Sequence, residues 1–123
     1  MNTYLSEVAT MLTVKGTNIT MNRSDSVYIT VTVRQAGGEE YQMQEGDRLY
    51  FAAKKKATDK DYAIAPKALK GNVLELTPLD TEQLDFGTYI YDVRLVTAKG
   101  FTSTIIKPSN LVIEESITGV GDR

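Results

Sequence analysis

Apolar and polar residues alternate most strictly between Ser26 and Arg34. Val27, Ile29, Val31 and Val33 fall on one face, and Tyr28, Thr30, Thr32 and Arg34 on the other. A period of two predicts a β-strand with one buried face. The same pattern recurs along the chain. Arg48 to Lys55 places Leu49, Phe51 and Ala53 inward, and Thr88 to Val96 puts Tyr89, Tyr91, Val93 and Leu95 on one face. Phe101 to Ile106 and Leu111 to Glu115 read as two closing strands, separated by Lys107-Pro108-Ser109. Leu12–Lys15 and Asn18–Met21, parted by Gly16, form one or two short strands. Val73 to Thr77 is a strand whose inward set is either Val73 with Glu75 or Leu74 with Leu76. Ala63-Ile64-Ala65 is a short edge segment whose pairing Pro66 is expected to end.

Turn chemistry separates these runs. Asn22-Arg23-Ser24-Asp25, Gln44-Glu45-Gly46-Asp47, Lys70-Gly71-Asn72 and Ala98-Lys99-Gly100 carry residues that favour turns. Gly37-Gly38 permits the positive φ of a hairpin-type connection after Arg34. Asp80 to Leu84 reads as a single helical turn with Asp80 as N-cap. Seven or eight short antiparallel strands at this spacing predict an all-β fold, a sandwich or a barrel, and the tyrosine corner described below favours an Ig-like Greek-key sandwich. The expected organisation is an N-terminal arm over residues 1–11, docking on the body or on a neighbour, one domain over 12–115, and a mobile tail over 116–123.

Composition supports this class. Thr, Val and Ile make up 33 of the 123 residues, and these β-branched types suit pleated strands. The net charge of -2 and pI of about 5.1 argue against a nucleic-acid partner, which requires a basic face. No run approaches the length of a membrane span. The first residues lack the basic and apolar regions of a signal peptide, so ordinary export is not expected.

The candidate chemistry is sparse. The chain has no Cys and no His, which removes disulfides, thiol nucleophiles, zinc-finger spacing and Ser-His-Asp catalysis. No acidic pair is marked by its context, so no enzyme is expected, and no cofactor or metal. Asp59, Asp61, Asp80 and Asp85 lack the ligand loop that calcium sites use. Lys54-Lys55-Lys56 is a candidate anion patch, and its position between a strand and a polar loop favours a solvated charge run. Asn18-Ile19-Thr20 and Asn22-Arg23-Ser24 match glycosylation sequons, read here as chance matches. Tyr28, Tyr41, Tyr50 and Tyr62 are candidate binding aromatics or cross-strand packing residues. Asp92 and Arg94 are expected to face outward, pairing across strands or contacting a neighbour, and a weak surface charge pair is the favoured reading. Asp85-Phe86-Gly87-Thr88-Tyr89 matches a tyrosine corner, in which the Tyr hydroxyl bonds back to upstream backbone. Asp85, Gly87 and Tyr89 are therefore the expected structural residues of an Ig-like sandwich.

Four segments in order carry a more specific likeness: Ile19 to Ser26, Glu45 to Lys55, Leu76 to Thr81 leading into Gly87 to Leu95, and Ser103 to Ile113. In that order they resemble the small Ig-like sandwich proteins of Firmicutes phage and prophage tail regions. The segment is similar to the N-terminal domain of the phage upper baseplate protein family, over about residues 17–115. The resemblance implies a non-enzymatic structural protein of a tail or baseplate. It would be made in the bacterial cytoplasm, located in the virion tail, and partnered by other tail proteins and by copies of itself. The chain ends soon after the sandwich, which favours a decoration, adaptor or plug subunit over a receptor-organising one. The alternative is a carbohydrate- or cell-surface-binding module that uses loop-end aromatics such as Tyr41 and Tyr62.

Overall fold

The computed structural model describes residues 2–7, 12–15, 17–34 and 39–115. The Gly37-Gly38 connection and the tail 116–123 lie outside the described residues. In chain order the elements are β1 (Asn2–Glu7), β2 (Leu12–Lys15), β3 (Asn18–Asn22), β4 (Val27–Arg34) and β5 (Arg48–Lys54). They continue with β6 (Ile64–Ala68), β7 (Val73–Leu76), the helical turn α1 (Pro78–Thr81), β8 (Gly87–Val96) and β9 (Thr102–Glu114).

The strands form two sheets, one in the order β1-β4-β7 and one in the order β2-β3-β9-β8-β5-β6. The inward residues of both enter one core. Val27, Ile29, Val31 and Val33 of β4 and Leu74 and Leu76 of β7 face Leu49, Phe51, Tyr91, Val93, Leu95, Leu111 and Ile113 from the larger sheet. Each large apolar side chain so buried contributes about 1.5–3 kcal/mol relative to exposure. Phe51 and Tyr91 pack with ring centroids 5.4 Å apart. The ladder β9-β8-β5 opposite β4-β7 is the strand order of the G, F and C strands against B and E in an immunoglobulin-type sandwich.

Several elements differ from the pattern-based reading. Asn2–Glu7, within the expected arm, is a strand paired antiparallel along β4, from Asn2 opposite Arg34 to Glu7 opposite Ile29. One ladder is parallel: β3 runs beside β9, with Ile19 opposite Leu111 and Met21 opposite Ile113. A parallel pair needs a long crossover, and here the chain from β4 to β8 supplies it. The two closing strands are one. Lys107-Pro108 does not interrupt β9, because both residues stand in a bulge where β8 passes from Tyr91 to Val93 while β9 passes from Ser109 to Ile106. A bulge tolerates the missing N–H of a proline in a central strand.

Pro66 likewise stays inside β6, on the sheet edge, where the pairing with β5 shifts register. In β7 the inward pair is Leu74 and Leu76. The helical turn begins earlier than Asp80. Thr77 is its N-cap and Asp80 stands at N3, accepting the Thr77 backbone N–H at 2.7 Å. Pro78 explains the shift, since its fixed φ and missing N–H suit the first helical position.

Candidate functional site

The Asp85-x-Gly-x-Tyr segment closes on itself. Tyr89 is buried, and its hydroxyl donates to the Asp85 carbonyl oxygen at 2.8 Å. Gly87, at φ +141°, makes the bend that a side chain would resist. Lys55 covers the corner: its ammonium lies 4.6 Å from the Tyr89 ring centroid and donates to the Thr88 carbonyl at 3.2 Å. The three lysines therefore do not act as one patch. Lys54 donates to the Asp59 carbonyl at 2.7 Å and lies 4.9 Å from the Tyr62 ring centroid, which ties the loop after β5 to the sheet.

The scattered aspartates have separate tasks. Asp80 pairs with Lys67 at 2.8 Å, and Asp59 accepts the Lys56 backbone N–H. Among the described residues no group of acidic side chains is placed to hold a metal ion, and no helix is long and apolar enough to cross a membrane. Asn18 accepts the Asn110 backbone N–H at 3.0 Å and helps fasten β3 to β9.

Tyr41 is no loop-end platform. It is half-buried, and its hydroxyl donates to Asp47 at 2.6 Å. Asp47 is itself buried and also accepts the backbone N–H groups of Gln44 at 2.9 Å and Ala98 at 3.3 Å. The Tyr41 hydroxyl first, then the two amides, hold the Asp47 carboxyl below its ordinary range.

The remaining aromatics separate by face. Tyr28 is exposed on the outer side of the three-stranded sheet, where β4 and β7 pair it with Glu75. Tyr50 and Tyr62 are exposed on the outer side of the six-stranded sheet. There they border a groove of about 480 Å³. Its floor follows from the alternation that buries the core, since every residue between two inward ones on β5 and β8 faces out. Opposed pairs run along it: Tyr50 with Arg94, Ala52 with Asp92, Lys54 with Ile90. Pro66 and Pro108 line its flanks.

Asp92 is the unusual member. Its neighbour on β5 is the methyl of Ala52, and on β9 the bulge at Lys107 and Pro108 leaves it without a register partner. It makes no hydrogen bond or ion pair among the described residues, although Arg94 and Lys54 both attract it. Partial burial pushes its carboxyl up, outweighing the two cations. The outward placement of Asp92 and Arg94 was readable from alternation. The groove was not, because a bulge and a proline inside a strand create it.

No protein-family model matches the chain, and no curated protein matches it.

Proposed function

We propose that the protein is a non-enzymatic structural or assembly component of a phage or prophage tail or baseplate, acting through protein–protein contacts. One observation carries this reading: large apolar side chains stand exposed at both ends of the sandwich. Leu79, 72% exposed, and Phe86, 42% exposed, lie in the connection from β7 to β8. Phe101, 62% exposed, lies in the turn from β8 to β9. Ten residues of β8 separate the two ends, roughly 30 Å at the rise of a strand. A subunit with exposed apolar side chains at opposite ends is suited to head-to-tail contacts, which build rings or filaments. The order of the resembling segments supports the same reading; they fall on β3, on β5, on the end of β7 with α1 leading into β8, and on β9.

In this reading the partners are other tail proteins and further copies of the chain, and the location is the virion tail. Sedimentation velocity tests the end contacts. The wild-type chain should sediment above its 13.6 kDa monomer mass, alone or with a neighbouring tail protein. Phe101→Ser and Leu79→Ser should each return it to the monomer. A strictly monomeric wild type that binds no tail protein would contradict the proposal.

A further inference from the structure

We infer that the groove on the outer face of β5 and β8 is a binding site for a neutral saccharide, held by Tyr50, Tyr62, Asp92 and Arg94. This goes beyond the assembly reading and does not rest on it, because the apolar ends and this face are separate surfaces.

The shape comes first. Subunit contacts favour flat faces, whereas this surface is a concavity of about 480 Å³, within the range of small-ligand sites. Its depth has a local cause. Ala52 is the smallest side chain of the floor, and it lies opposite Asp92 and between the longer Tyr50 and Lys54. Pro66 and Pro108 rise on either flank.

The chemistry selects the ligand. Asp92 offers only acceptors and Arg94 only donors. They lie two residues apart on one face, and neither is bonded to the other nor to any other described residue. An anionic ligand would meet Asp92, and a cationic one would meet Arg94 and Lys54. A neutral polyol meets neither penalty, since each hydroxyl both donates and accepts. Tyr50 and Tyr62 add exposed rings, amphipathic surfaces suited to the C–H face of a sugar ring. A peptide is less well matched. Peptides add to sheet edges through their main chain, and this floor presents side chains only. A half-buried carboxylate without a partner is also costly to the folded chain, and a hydroxyl donated by the ligand would relieve that cost.

The test is a glycan array of neutral and acidic oligosaccharides probed with the full chain, followed by NMR titration with the strongest neutral hit. Neutral glycans should bind, with amide shifts centred on Tyr50, Asp92 and Arg94. Asp92→Asn and Tyr50→Ala should each weaken binding about tenfold or more while the protein stays folded by its amide spectrum. Tyr28→Ala, on the opposite sheet, should leave it unchanged. A blank array, binding confined to acidic glycans, or neutral binding that survives both groove substitutions would overturn the inference. So would a peptide library that shifts the same amides while every glycan fails, which would make the groove a protein-docking site.

Discussion

At the scale of single residues, two aspartates show opposite electrostatic regimes, one in the turn before β5 and one on β8. Asp47 is enclosed by three donors, so its ionised form stabilises the fold. Its folded-state titration lies below the ordinary value of 3.8. The stabilisation is therefore complete above that value and is lost as pH falls through the folded-state one. Asp47→Asn should lower the melting temperature at pH 7 by several degrees. It should also flatten the loss of stability expected of the wild type as pH falls below the ordinary carboxylate value, as thermal scans across pH would show. Asp92 has the reverse sign. Its carboxyl titrates above the ordinary value, so the ionised form weakens the fold and protonation in acid relieves it. Asp92→Asn should raise the melting temperature at pH 7, with the gain shrinking as pH falls and the wild-type carboxyl takes up its proton. A stabilising substitution at a groove residue is what a site held for binding would show. Both carboxylates look alike in the sequence. What separates them is a turn that folds three donors around one and a bulge that removes every partner from the other.

At the scale of elements, the corner and the caps fix how β7 passes to β8. The Tyr89 hydroxyl bonds back across Gly87, and Asp80 both caps the Thr77 amide and pairs with Lys67. Lys67 also donates to the Glu75 carbonyl at 2.7 Å, so one ammonium joins β6 to β7 across the two sheets. Tyr89→Phe should cost about 1 kcal/mol, the net worth of one hydrogen bond. Asp80→Ala should cost about 1 kcal/mol or somewhat more, since it removes a cap and an ion pair together. Urea unfolding of each variant measures both. The strands themselves were legible because alternation of period two over β4, β5 and β8 admits a single inward face. The corner was legible because its residue types sit at fixed offsets. The register of β9 was not. Ile105 and Ile106 are both buried in succession, and Pro108 follows, so the local pattern reads as a break where the strand bends and continues. Nor does local pattern reveal that β3 lies beside β9, a pairing between residues more than ninety positions apart.

At the scale of the whole molecule, the sandwich presents exposed apolar side chains at both ends and a groove on the outer face of the large sheet. Class followed from composition and spacing, because a β-branched chain with frequent turn residues buries its alternating faces in a sandwich or a barrel, and the tyrosine corner selects the sandwich. The surfaces were less legible. Leu79, Phe86 and Phe101 lie in connections, where periodicity gives no inside or outside, and only the fold places them at opposite ends. The central claim is that these ends join the protein to a phage tail. Quantitative mass spectrometry tests it most directly, on particles purified from an induced culture of the cell that encodes the chain. The expected result is a fixed number of copies per particle that survives a high-salt wash, because apolar contacts are not screened by salt. Its absence from intact, purified particles would contradict the claim.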